Sequence, residues 1–534
     1  MSSHVILRPQ CWYRAKGFSF ALKILLIVVL PLPGYSADVT FSADRLIGFS
    51  EQGERCHQLE GNAKLLTAES TIEADRAVYY SDQKIIRAAG HVRIVRQDGT
   101  VIEGEELVYD ESTQTAHLRQ EVVYRSQDGN TVFYTDNLSY DYQQKVATFQ
   151  EGGRLVSGSN VLTGEAGRYN DVSKRAELAH NVTLETPEHT LKTDTLCYNT
   201  YTKVARFLGP TEIVSKRDSA TLTTEQGGEY NTATKSSLFS QSRIETQDYY
   251  LSGDLLYTDP ATETYTAIGH VQLASKANQV VISGQHGRYC KKEGVAQIEG
   301  SPLMQKKLED DTLYLYADRF VATENLETKD PKHMYVEAYD DVKIYKEGFQ
   351  GRAAKMEYRG QESTIRFYDQ PIFWSQGSQL SARAAEVTLH NDVVDRIDMY
   401  DDASVMSEDE LHNYNQLKGR IMTAHLENQN IDHIDVEGNA ESLYFVIDRS
   451  ELIGLNHLRC GQMRIDMHRE RGISKITFNV KPVGVFWPID QVREDQKILP
   501  GLQWNDAFRP TREEVVGRGY GLRSGYPSFK FDKQ

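Results

Sequence analysis

From about residue 55 to residue 480 the chain alternates apolar and polar side chains in short runs, and turn signals interrupt the runs at regular intervals. The stretch from Gly90 to Gln120 shows the unit. Gly90-His91 marks a turn, and Val92-Arg93-Ile94-Val95 begins a strand with Val92 and Ile94 on one face and Arg93 on the other. Gln97-Asp98-Gly99 reads as a hairpin turn, because Asp-Gly accepts the positive φ that such turns demand. Thr100 to Gly104 returns, Glu105 bends the path, and Leu107 to Tyr109 continues it. Asp110 to Gln114 turns again before Thr115 to Leu118.

The unit recurs. Tyrosines 79, 109, 140, 169, 198, 230, 257 and 289 are separated by 27 to 32 residues. Strand openings of the form Gly61-Asn62-Ala63-Lys64-Leu65 return at His180-Asn181-Val182, Gly269-His270-Val271, Asp340-Asp341-Val342 and Gly438-Asn439-Ala440. A fixed period of this length means one supersecondary unit stacked many times. About thirteen units fit between residues 55 and 480. The predicted fold class is all-β: an elongated β-jelly-roll solenoid of stacked antiparallel strands, one face of each strand buried and one wet. A parallel β-helix competes, but its hexapeptide and nonapeptide rhythms are absent. Two spacings stretch near Asn325 to His333 and Glu408 to Gln416, which read as loops.

The ends depart from the pattern. Arg8, Arg14, Lys16 and Lys23 precede an apolar run from Ile24 to Leu30, then Pro31, Pro33 and Gly34. This is the layout of a secretory signal peptide over residues 1–37, and the run is too short to span a bilayer. Residues 38–300 hold the clearest repeats and 301–480 more divergent ones. Residues 481–534 carry Pro482, Trp487, Pro488, Pro500, Trp504 and Pro510, an expected C-terminal cap or docking tail.

Composition narrows the function. The formal charge is −16, with no long basic block, which argues against nucleic acid as a partner. Thirty tyrosines and only 14 prolines suit continuous strand ladders. Cys56, Cys197, Cys290 and Cys460 are scattered, and no disulfide framework is expected. His91 and His270 lie too far apart to share a metal, and His425, His433 and His457 show no zinc-ligand spacing. The recurring acids Asp75, Glu105, Asp136, Glu165, Asp194 and Asp254 occupy one place in each unit. They read as bend-formers rather than a catalytic pair. No nucleophile elbow or phosphate loop is present, so no enzyme and no cofactor is expected.

The segments Gly61-Asn62-Ala63-Lys64-Leu65, Ile72-Glu73-Ala74-Asp75-Arg76-Ala77-Val78-Tyr79 and Ala88-Ala89-Gly90-His91-Val92-Arg93-Ile94 resemble the unit of the OstA/LptA family, periplasmic lipopolysaccharide-transport proteins of Gram-negative bacteria. The resemblance is best over residues 55–300. It implies a jelly roll that associates end to end and holds lipid A acyl chains in an apolar interior groove. It also implies a periplasmic location, possible outer-membrane association, and partners among the inner- and outer-membrane lipopolysaccharide-transport components, met through strand edges. The chain is longer than the short bridge proteins of that family and lacks the large C-terminal barrel of its outer-membrane member.

The inward apolar positions then become candidate groove residues: Val92, Ile94, Ile102, Leu107, Tyr109, Val122, Tyr124, Leu138, Tyr140, Val182, Leu184, Leu191, Leu196 and Tyr198. The expected function is a lipid-binding bridge or carrier in lipopolysaccharide export and outer-membrane assembly. Two alternatives remain open at this point: a structural scaffold or adhesin without lipid, and a polysaccharide-active β-helix enzyme.

Overall fold

The computed structural model describes residues 39–519 apart from 248, 277–278, 309–310, 329–332, 391–392, 428–429 and 469–471. The expected leader and the last residues of the tail lie outside the described residues. Among those described, 38 strands form one sheet, every pairing of which is antiparallel. The chain is all-β, a jelly-roll stack in which most long strands pair with the strands before and after them. Ile85–Arg96, for example, lies between Ser70–Tyr80 and Val101–Asp110.

Most long ladders break once, in mid-strand, and the two formed by Asn430–Asp448 break twice. On Ile85–Arg96 the pairing jumps from Ala89 to Val92, and the skipped residues Gly90 and His91 take φ of 80° and 46°. Gly90-His91, read above as a turn, is therefore a bulge inside an unbroken strand, since two positive-φ residues twist the strand without reversing it. Gly61-Asn62, Gly269-His270 and Gly438-Asn439 repeat the device. The recurring acids sit against these bulges. Asp75 Oδ2 lies 2.8 Å from His91 Nδ1, Asp254 Oδ2 lies 2.8 Å from His270 Nδ1, and Asn62 Nδ2 donates to Asp44 Oδ2 at 2.8 Å. A Cβ on Gly90 would collide with the Asp75 carboxylate, so this position needs glycine for space as well as for φ.

The bulges line up and crease the sheet lengthwise into a V. Residues 70–73, 92–95 and 101–104 lie in the first arm; residues 76–80, 85–89 and 106–110 lie in the second. The inner faces of the two arms make the core. One apolar cluster runs from Val39 to Phe239, and another, from Leu315 to Ile465, fills the second half. The small cluster of Leu256, Ala267 and Val271 lies between them.

The tail turns back after the last strand, Val483–Pro488, and runs along the outer face of the first arm in the second half. It crosses a register row made of Gln350, Trp374, Gln379, Met406, Gln416 and Leu443, all buried. Gln416 Nε2 donates to Lys497 O at 2.8 Å while its Oε1 accepts from Leu499 N at 2.7 Å. Gln379 holds Gln503 O at 2.9 Å and Asn505 N at 2.6 Å in the same way. Gln350 Oε1 accepts from Arg509 Nε at 2.7 Å. Gln416 and Gln379 thus satisfy strap backbone, and Gln350 holds a strap side chain. The helix Arg512–Arg518, capped by Thr511, ends the strap: Val515 packs on Leu303 and Tyr316, and Glu514 pairs with buried Lys343 at 3.0 Å.

Candidate functional site

The seam between the arm tips is the place where the V can close or stay open, and its two halves differ. In the first half, polar side chains reach across it. Buried Arg96, on the first arm, meets Tyr140 and Asp171 of the second arm, and Thr100 Oγ1 donates to Asp171 Oδ2 at 3.2 Å. Asn160 Nδ2 donates to Tyr198 OH at 3.1 Å and Thr232 Oγ1 at 3.0 Å. Lys203 Nζ donates to Ser157 Oγ at 3.1 Å, and Lys235 pairs with Glu188 at 3.3 Å. Several of these ties join positions 38 to 72 residues apart, so they stitch each repeat to units beyond it. Behind them stand stacked and edge-on tyrosines: Tyr140 meets Tyr124 at 6.1 Å and Tyr142 at 5.1 Å. Burial pushes the Tyr142 hydroxyl up to about 12, so it remains a neutral phenol.

All fourteen groove candidates fall in this zipped half, and each is 0–2% exposed. The structure brings them together on the facing inner surfaces, as part of one continuous core. Beside them, a void of only about 10 Å³ lies against Phe133, Phe149 and Leu155.

The second half is built differently. On the first arm, inward Leu313, Phe349, Leu380 and Val405 are only partly buried; on the second arm, so are Ile365, Val387, Ile397 and Ile434. The second-arm residues lie in register, Ile365 opposite Val387, Val387 opposite Ile397, then Ala424, Ile434, Ile465 and Ile476. Six strand spacings of ~4.8 Å make this an apolar ribbon about 29 Å long. Toward the end of the stack the inner face opens further, with Tyr444 46% and Phe486 50% exposed. Among the described residues, the last strands, Gly472–Asn479 and Val483–Pro488, each pair on one side only, with Glu451–His468.

A trough of this shape can shelter hydrocarbon, and strand edges beside it can accept another strand. Alternation in the sequence named inward residues in the first half alone, Val92 to Tyr198. It carried no signal for how far apart the arms stand, because that depends on tip residues such as Arg96 and Asn160. The strap glutamines were also missed; their spacings of 29 and 37 residues tie them to the repeat, which was the available signal. Among the described residues, no helix is long and apolar enough to cross a membrane.

Comparison with known proteins gives three findings. The family described as OstA-like protein matches residues 40–194 and 169–254. Among solved structures, the chain is similar to LptH of Pseudomonas aeruginosa, described as the LptA-homologous periplasmic component of the conserved lipopolysaccharide transport device. That similarity has 16% identity and a TM-score of 0.19, and it covers 22% of this chain and 80% of the other. No curated protein matches the chain.

Proposed function

We propose that this chain, whose residues 40–254 match the OstA-like family, is a periplasmic carrier for the acyl chains of lipopolysaccharide, a transport protein and not an enzyme. The observation that supports this reading is the half-exposed apolar ribbon through Ile365, Val387 and Ile397, facing Leu380 and Val405 across the V. Acyl chains gain roughly 0.8 kcal/mol per CH₂ on leaving water for such a surface. In this reading the standing trough of the second half is where lipid rests. The zipped first half, with Val92, Ile94, Leu184 and the other candidates, takes lipid only as its seam parts. The leader over residues 1–37 would export the chain, and the free edges of Gly472–Asn479 and Val483–Pro488 would pair with inner- or outer-membrane transport components, or with another copy, by strand addition.

Photocrosslinking tests it. Probes at Val387 and Ile397 are expected to label lipopolysaccharide, whereas a probe at outward Arg366, which pairs with Glu386, is not. Labelling from Arg366 and not from Val387 or Ile397 would remove the carrier reading. A scaffold or adhesin, the rival reading, predicts no labelling from any of the three.

A further inference from the structure

His425 and His433 stand directly opposite each other on the hairpin formed by Tyr414–Glu427 and Asn430–Asp448, on the outer face of the second arm. Their rings stack at 4.3 Å with 20° between planes. Asp435, two residues along the same face, places Oδ2 at 3.8 Å from His425 Nε2 and 3.5 Å from His433 Nε2. These separations are too long for direct hydrogen bonds. They are close to the donor–donor spacing around a shared cation, roughly 3.3 Å for tetrahedral bonds of ~2.05 Å. All three donor atoms lie within 4.8 Å of one another. A second observation points the same way. His433 Nδ1 lies 2.7 Å from Asp432 Oδ2, the carboxylate–imidazole contact that fixes the tautomer and leaves Nε2 free to ligate.

We propose that His425, His433 and Asp435 form a three-ligand site for a divalent first-row transition metal, zinc first among them. Two imidazoles and one carboxylate are the donor set of borderline cations, and the half-exposed face leaves a fourth position for water. Arg464 lies 3.6 Å from Asp435 Oδ1 and 2.9 Å from Asp466 Oδ1. It therefore engages the carboxylate oxygen that faces away from the histidines. The spacing of two histidines eight residues apart shows nothing in the sequence; only the hairpin register makes them neighbours. A bound ion would pin the hairpin whose inner face carries Ala424 and Ile434 of the trough, but the site stands independently of whether lipid occupies that trough.

The test is calorimetric titration of the untagged, EDTA-stripped full chain with zinc chloride. We expect one equivalent bound with micromolar or tighter affinity. His425→Gln and His433→Gln should each weaken binding at least ten-fold, and Asp432→Asn by roughly 10- to 100-fold. His457→Gln, whose imidazole lies 2.7 Å from Glu441 and outside the cluster, should leave affinity unchanged. Cobalt added to the unaltered chain should give visible absorption bands of nitrogen–oxygen ligation, a readout that needs no variant to fold. Absence of zinc binding, zinc binding undiminished in the two histidine variants, or a featureless cobalt spectrum would each overturn the site.

Discussion

The two halves of the V solve one problem in two ways. The first closes on itself: Arg96, Thr100, Asn160 and Lys203 bridge its seam, and nearly all its inward side chains are buried. The second leaves inward apolar residues part-exposed and is braced from outside, where the strap crosses the Gln350–Gln379–Gln416 row. A trough whose inward residues stay part-exposed gains less stiffness from contacts across its seam. A rigid strap on the outer face supplies stiffness without filling the interior. Separating stiffness from closure lets a hydrophobic surface stay accessible without the arms collapsing together.

The sharpest way to break this comparison is a matched pair of truncations. Leu184→Ala, in the sealed core, should cost about 3 kcal/mol, because its cavity cannot collapse. Leu380→Ala, already part-exposed, should cost about 1 kcal/mol. The chain carries its own reporter: outside the leader its tryptophans are 374, 487 and 504, all in the second half or the strap. Denaturant unfolding followed by circular dichroism and by tryptophan emission should show Leu184→Ala destabilising the first signal far more than the second. Equal costs at the two sites would mean that the halves pack alike.

A pH lever acts on the second half. Glu357 loses by burial, which alone would raise it, but bonds from Lys355, Tyr368 and Arg359 outweigh that and hold its carboxyl down at about 2. A carboxyl whose folded value is depressed stabilises the fold above its ordinary range near 4.5. That stability is lost as pH falls from there toward 2. Glu357→Gln should therefore cost on the order of 2–3 kcal/mol at pH 7, and the difference should shrink steadily below pH 4.5. A difference that does not change with pH would show that the network contributes packing only. The first half has its own electrostatic tie. Arg96→Met keeps most of the stem but breaks the pairs with Asp98 at 2.9 Å and Asp171 at 3.8 Å. Lys174 still holds Asp171 at 3.0 Å, so the expected cost is about 2 kcal/mol. Faster hydrogen exchange along residues 92–104 and 166–170 would mark the seam parting.

How much of this was legible in the residues divides along the same line. The period, the strand alternation and the apex are local features. Gly-His and Gly-Asn pairs announce a positive φ, and the small-acid pairs supply the partner across the apex, although the bulge was read as a turn. Long-range facts were not legible. Arg96 looks like any surface arginine until the crease brings residue 171 to it. Trp504 and the prolines of the tail marked an apolar extended segment, but its path depends on glutamines more than 80 residues away. The groove candidates were chosen where the repeat is clearest, and that regularity belongs to the half that packs tightest. The divergent half, where the period weakens, keeps its inner face accessible.

The smallest expected effect tests the brace most directly. Gln379 offers both ends of its amide to the strap, holding Gln503 O and Asn505 N, and it neighbours Trp374 in the register row beneath. Gln379→Ala removes two neutral hydrogen bonds, each contributing about 1 kcal/mol. It leaves the strap's N–H and C=O to water, for a net cost of roughly 1–2 kcal/mol. The loss should be local: the strap anchors at Leu499 and Val515 remain, so it should lift between residues 500 and 510 while its ends stay docked. Limited proteolysis should then cut within 500–510 faster than in the unaltered chain, and Trp374, 1% exposed beneath the strap, should shift its emission to the red. If lipid labelling from Val387 persists while the strap is loosened, the brace stiffens the trough without gating it. If labelling collapses with it, the outer face and the inner face are one mechanical unit, and the strap belongs to the carrier as much as the trough does.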